Sequence, residues 1–129
     1  MSNIPSDLKY TEDHEWAKLE SDGTVKVGIT DHASKELGDL VYVELLKTGQ
    51  DLSAGDAFGT LESVKAVVEL YCPVSGTIIA VNQELDEAPE SIGDDPYVTW
   101  IIAIRPDSVA DLDDLLDAEA YEKLLTDAK

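Results

Sequence analysis

The sequence predicts a mainly β domain: a flattened barrel of two sheets, with a short internal helix and a C-terminal helical tail. Three observations carry that expectation. Short β-prone runs recur along most of the chain, separated by Gly, Pro, Asn and Asp signals. Only one early segment carries paired helix start and stop residues. The pattern Gly23-Thr24-Val25-Lys26-Val27 returns loosely as Gly76-Thr77-Ile78-Ile79-Ala80, which suits two β-rich halves. Gly-Thr before a strand is common, so the echo alone distinguishes little.

The elements follow in order. Glu15-Trp16-Ala17-Lys18-Leu19-Glu20 reads as a strand and Ser21-Asp22-Gly23 as its turn. Residues 24–29 alternate apolar and polar, giving a second strand. Thr30 is a good N-cap, Asp31 puts a negative charge in the first turn, and Gly38 is a stop. A helix of about two turns is expected over 31–37. Residues 40–46 form a strand with Val41, Val43 and Leu45 on one face. Thr48-Gly49 and Ala54-Gly55 punctuate the loop that follows. Residues 57–61 and 67–71 read as two strands of a hairpin. Its joining residues include no Gly, Asn or Pro, so a type I turn is expected. Residues 76–82 are another strand, 86–96 an acidic surface loop with two prolines, and 97–104 the last strand, ended by Pro106. Ser108 or Asp111 opens a helical tail. Asp117 caps a final helix that turns Tyr121, Leu124 and Leu125 inward.

Composition bounds the function. A chain of 129 residues fits one domain, 1–129, with a core over about 8–105 and the tail over about 108–128. Hydrophobic residues make up 43%, enough for a globular core. No apolar run is long enough to span a bilayer. Residues 1–7 have neither an apolar signal core nor an Arg-rich amphipathic character, so a cytoplasmic location is expected; a processed organellar protein would read the same way. A single cysteine, Cys72, allows no internal disulfide and reads as a small buried hydrophobe at a strand end. Nine Lys and Arg against 28 Asp and Glu give a formal charge of −19. Such a chain has no basic face for phosphates, which argues against nucleic acid, and it is repelled by anionic membranes. The charge favours steering toward partners with basic docking surfaces, and it also suits a salt-adapted source.

Against that acidic background Lys65 stands out. It sits at the tip of the expected hairpin, out in water on a rigid base. A flexible stem ending in an amine is what a carrier needs to attach a prosthetic group and let it swing. Lysines at hairpin tips are mostly just solvated, so the weight comes from the surrounding sequence. Other chemistry is sparse. His14 and His32 lie far apart, Cys72 is the only thiol, and no His/Cys spacing resembles a zinc site, so no metal is expected. His14-Glu15 lacks the second histidine of a metalloprotease helix. His32, near a helix start, reads as structural. There is no Gly-rich phosphate loop, and close carboxylate pairs arise by chance in so acidic a chain. The chain reads as a substrate for enzymes, not as an enzyme.

The residues around the lysine resemble the H-protein family of the glycine cleavage system, carriers that bear lipoic acid on one lysine. The family motif Glu-Ser-Val-Lys-Ala is matched by Glu62, Ser63, Val64, Lys65 and Ala66. Pro73-Val74-Ser75-Gly76 matches a second family segment. Tyr10 with His14-Glu15-Trp16, then Val27-Gly28-Ile29-Thr30-Asp31-His32-Ala33, then Leu37-Gly38-Asp39-Leu40-Val41 match others, as does the tail 115–121. The resemblance spans nearly the whole chain, in order.

It implies a lipoyl-type barrel-sandwich hybrid and a monomer. Lipoate would be joined by an amide to Lys65, with Glu62, Ser63, Val64 and Ala66 as the recognition motif of a lipoate ligase or of a lipoyl/octanoyl transferase. A pyridoxal-phosphate-dependent glycine decarboxylase (P protein) would load an aminomethyl group onto the arm. An aminomethyltransferase (T protein) would release ammonia and pass the one-carbon unit to tetrahydrofolate. A dihydrolipoamide dehydrogenase (L protein) would reoxidise the dithiol. Tethering makes each encounter one of high effective concentration. The family folds its loaded arm into a cleft, where an ammonium needs an acceptor. Family positions for that contact match Glu15 and Glu69. Trp16 would alternate to the opposite face and anchor the sheet, leaving the Glu15 carboxylate facing out.

This chain departs from the family pattern at four places. Val68-Glu69 is bulkier than the usual Asp and its small neighbour, and Glu36 replaces a histidine found near the cleft in some members. Pro96-Tyr97-Val98-Thr99-Trp100 lacks the usual glycines, and Leu46 stands for a proline. A lipoyl relay protein supplying 2-oxoacid dehydrogenase lipoyl domains would use the same lysine. A biotin carrier would flank it with methionines rather than Val64 and Ala66. A plain structural β-domain would leave it unmodified.

Overall fold

The computed structural model describes residues 4–127. It is mainly β, built as two antiparallel sheets. The larger contains six strands in the order β1 (Lys9–Tyr10), β2 (Glu15–Leu19), β3 (Val25–Ile29), β9 (Ile102–Pro106), β8 (Gly76–Val81) and β5 (Asp51–Leu52). The smaller has three, β4 (Leu40–Leu45), β6 (Ala57–Ser63) and β7 (Val67–Tyr71). Each sheet keeps free edges, so the pair flanks a shared core without closing into one barrel. Helices are few: α1 (Asp31–Leu37), two single turns α2 (Glu84–Glu87) and α3 (Ser91–Asp94), a 3-10 turn Val109–Asp114, and α4 (Ala118–Asp127). No helix among the described residues is long and apolar enough to cross a membrane.

The core forms where the two sheets face each other. Val25, Val27, Ile78, Ile102 and Ile104 from the large sheet meet Val43, Phe58, Leu61 and Leu70 from the small one. The echoed segments explain part of this. Val25 and Ile78 both pair with Ile104, from opposite sides of β9, so both repeats deliver an apolar residue to the same layer. A second cluster, Leu8, Tyr10, Trp16 and Tyr121, ties α4 to β1 and β2, with Leu124 and Leu125 packed against it. The rings of Tyr10 and Tyr121 stack 4.7 Å apart. Trp16 is paired directly with Gly28, and its indole N–H donates to the Pro96 carbonyl at 2.8 Å.

Local chemistry sets α1. The Thr30 hydroxyl accepts from the Ala33 amide, Gly38 follows at φ 75°, and the helix has the expected limits. At the tail the Asp117 carboxylate accepts from the Ala120 amide, which makes it the cap expected of it. Cys72 is buried, and its thiol donates to the Val74 carbonyl. Burial raises its pKa to about 11.

Four expectations are corrected. A bulge between Leu40 and Tyr42 turns β4, so Leu40 and Val43 face inward while Val41 is exposed. The acidic stretch 86–96 is not bare loop: α2 and α3 bury Leu85 and Ile92. The last strand starts at Ile102, not at Tyr97, because the Asp95 carbonyl captures the amides of Val98 and Thr99 and bends the chain there. Ser108 makes no side-chain cap, and the tail opens as a 3-10 turn.

The Trp16–Gly28 contact gives a direct test. A Cβ on Gly28 would lie 2.5 Å from the indole ring. Gly28→Ala should destabilise by about 1–3 kcal/mol through overpacking. The measurement is a shift of the urea midpoint at unchanged m-value; an unchanged midpoint would mean that the indole moves freely.

Candidate functional site

The β6–β7 hairpin carries Lys65 at its tip. Glu62 pairs with Val67 and Leu61 with Val68. Where a type I turn would close on a backbone carbonyl, the Ser63 hydroxyl takes over. Buried Ser63 Oγ accepts from the amides of Lys65 at 3.1 Å and Ala66 at 3.0 Å, and the Ser63 amide donates to the Ala66 carbonyl at 2.8 Å. No tip residue has a positive φ. The Val64 amide donates to the Asp39 carbonyl at 3.0 Å, which fastens the tip to the end of α1. Lys65 is exposed, and its stem lies over Gly38. A Cβ there would stand 3.4 Å from Lys65 Cε. Val64 and Val67 flank the lysine, both largely exposed. The motif residue Glu62 is exposed too, on the outer face of the small sheet beside Tyr42 and Val67.

Next to the tip is a cleft of about 290 Å³ between α1, the start of β2 and the hairpin. Ile29, Leu37, Leu61 and Val68 give it an apolar lining, and Ala66 brings it up to the lysine's neighbour. Its acidic residues include Glu15, Glu36 and Glu69. Of the site residues expected from sequence, Glu15, Ala66 and Glu69 line this concavity, Lys65 stands at the tip beside it, and Glu62 lies apart on the outer face of the small sheet.

Glu15 requires a correction. Its carboxylate does not face out: the residue is 1% exposed. Oε1 accepts from the Thr11 hydroxyl at 2.6 Å and Oε2 from the Tyr71 amide at 3.0 Å. Burial pushes its pKa up to about 7, against the opposing pull of those two hydrogen bonds. Strand alternation does hold, but both faces are covered at the start of β2. Trp16 lies under the tail helix while Glu15 lies against β7. Glu69, by contrast, is exposed, and its charge raises the pKa of the neighbouring Tyr71 phenol.

The fold also assembles a group that sequence distance hid. His14 is the one non-glycine with a positive φ among the described residues, at 69°. Its ring lies 4.7 Å from that of His32. His14 Nδ1 is 2.8 Å from the Tyr121 hydroxyl, which lies 2.7 Å from buried Thr30 Oγ. His32 Nε2 is 2.7 Å from Glu36 Oε1. Burial, then the His32 charge, lowers the His14 pKa. Ligand atoms of His14, His32 and Glu36 all lie within 4.8 Å of one another. The i,i+4 spacing of His32 and Glu36 was readable; their approach to His14 was not.

The tip geometry is testable apart from any cofactor. Ser63→Ala removes the acceptor of two amides. It should cost about 0.5–1.5 kcal/mol and speed hydrogen exchange at Lys65 and Ala66 selectively. Unchanged exchange at those two amides would show that the hydroxyl does not hold the turn.

Residues 8–128 match the family model described as glycine cleavage H-protein. The chain is 53% identical over 125 residues to glycine cleavage system H protein 2 of Pseudomonas putida, covering 97% of this chain and 98% of that protein. It is 52% identical over 124 residues to the glycine cleavage system H protein of Methylococcus capsulatus, covering 96% and 98%. A crystal structure of a glycine cleavage system H protein from Mycobacterium marinum is similar with a TM-score of 0.87 at 40% identity, covering 95% of this chain and 99% of that one.

Proposed function

Because this chain belongs to the glycine cleavage H-protein family, we propose that Lys65 is the residue through which it serves as lipoyl carrier of the glycine cleavage system. The carrying observation is the pinned tip beside the cleft. An exposed primary amine stands on a turn held by Ser63 and Asp39, at the mouth of an apolar concavity with acidic residues in its wall. Two other lysines are engaged. Lys26 meets Glu20 at 3.4 Å and lies over the Trp100 ring, and Lys35 meets Asp31 at 3.0 Å.

The residues present fit lipoate. An amide to Lys65 Nζ removes the lysine charge, and the apolar lining suits an aliphatic chain. When bound, lipoate supplies a disulfide that can be opened, loaded and reoxidised. The protein's own part is to hold, aim and shelter. Ser63 and Gly38 fix where the stem starts. Val64 and Val67 offer an apolar collar for the enzyme that modifies the lysine, within the motif of Glu62 and Ala66. Ile29, Leu37 and Val68 exclude water from whatever enters the cleft. Exposed Glu69 sets a negative potential there, joined by Glu15 above its pKa of about 7, which suits a cationic cargo. The enzymes served are the P, T and L proteins of the system. The chain is a carrier subunit with no catalytic residue of its own, and residues 1–129 act as one carrier domain.

Two experiments test this reading. With lipoate and a competent ligase, intact mass should rise by one lipoyl group, mapped to Lys65. Lys65→Arg keeps the charge, removes the acylable amine, and should abolish both modification and carrier activity at unchanged stability. Lipoate found on Lys47 or Lys26 would overturn the assignment.

Glu15→Gln tests the wall. The glutamine can accept from the Tyr71 amide and donate to Thr11 Oγ, so geometry is kept and charge is lost. Above a pH of about 7, where the buried carboxyl is charged, losing its field should make purified loaded protein release formaldehyde faster than wild type. Lipoylation itself should not change. Equal release rates would remove Glu15 from the shelter.

A further inference from the structure

We propose that His14, His32 and Glu36 form a binding site for a divalent transition-metal cation of the zinc class, at the rim of the cleft. Ligand type carries the first part of the argument. Two imidazoles and one carboxylate suit Zn²⁺, Co²⁺, Ni²⁺ or Cu²⁺, whereas Mg²⁺ and Ca²⁺ call for oxygen sets. Three protein ligands and an open position are the arrangement of an open zinc site.

The second part is placement. His32 and Glu36 are four apart on α1, so they project from one helical face as a chelating pair. His14 is brought to them by a backbone turn that non-glycine residues seldom adopt, at φ 69°. That turn is held at both ends. The His14 amide donates to the Thr11 carbonyl, and the His14 carbonyl accepts from the Thr30 amide. Backbone in a sparsely populated region, fixed by its surroundings, is a mark of functional sites.

The third part is the support behind the ring. His14 Nδ1 faces the Tyr121 hydroxyl, which faces Thr30 Oγ. Run from His14 Nδ1–H to Tyr121 and on to Thr30, this chain leaves the Nε2 lone pair free for a cation. A metal-bound histidine is oriented in this way by a hydrogen bond on its other nitrogen.

The fourth part is closure. The ligand atoms lie within 4.8 Å of one another, whereas zinc bonds of about 2.0–2.1 Å set tetrahedral edges near 3.4 Å. The side chains that must move have room, being 33% exposed at His32 and 65% at Glu36. The fixed ligand and the adjustable pair divide the work. His14 and Glu36 both line the cleft, so the open coordination position faces it.

The test uses the full-length, untagged chain with Lys65 unmodified, so its failure leaves the carrier reading intact. Excess Mg²⁺ first saturates the carboxylate-rich surface. Calorimetric titration with Zn²⁺ should then show one site per chain. His32→Ala at a half-buried position and Glu36→Gln at an exposed one should each weaken it at least about tenfold, with circular dichroism unchanged. Tyr121→Phe should weaken it through ring orientation alone, and Co²⁺ should give a ligand-field spectrum that disappears in His32→Ala. No site in the presence of Mg²⁺, or equal affinity in wild type, His32→Ala and Glu36→Gln, would mean an adventitious ion on acidic surface only and would overturn the proposal.

Discussion

A buried carboxylate joins the two sheets. Glu15 begins β2 in the large sheet, and its Oε2 accepts the amide of Tyr71 at the end of β7 in the small one. A carboxyl taken out of water must have its oxygens satisfied, and here Thr11 and Tyr71 satisfy one each. The bond sets where β7 ends relative to β2. Because β7 is one arm of the Lys65 hairpin, it also sets where the tip points. The cleft is the space left between sheets held at that separation. A residue that reads in sequence as a site residue is thus also a structural tie.

The same region shows what the sequence could and could not disclose. Helix α1 was legible to the residue because its limits are local: the Thr30 cap, Asp31, and Gly38 at positive φ. The Lys65 motif was legible because family and turn position agree. The burial of Glu15 was not, because it depends on β7 of the other sheet lying against its face of β2, while α4 from the far end of the chain covers the Trp16 face. Strand alternation says which side chains share a face; it does not say how many faces are covered. The bulge in β4 defeated the same rule another way, by moving Val41 out of step. At 97–100 a β-branched and aromatic run looked like strand, but one carbonyl, that of Asp95, decided otherwise. The nearness of His14 to His32 was hidden for a similar reason, since the two are brought together only by the Thr30–His14 backbone pairing.

The charge also acquires a shape. Among the described residues two lysines, Lys26 and Lys35, have a carboxylate within ion-pair distance. Among the described residues, Lys65 has no carboxylate within ion-pair distance. Acylation there would break no ion pair among the described residues. It would also leave the surface around the tip more negative.

Cys72 carries a quieter consequence. A carrier whose arm works by opening and closing a disulfide is exposed to sabotage from its own thiols, since any nearby thiolate could capture the arm as a mixed disulfide. This chain has a single cysteine, and the fold disarms it. The thiol is buried, donates to the Val74 carbonyl, and has its pKa pushed up to about 11. At pH 7 the thiol is overwhelmingly protonated. The protein is therefore redox-silent around a redox-active arm, and a thiol-directed dye added to the reduced, lipoylated carrier would report on the arm alone.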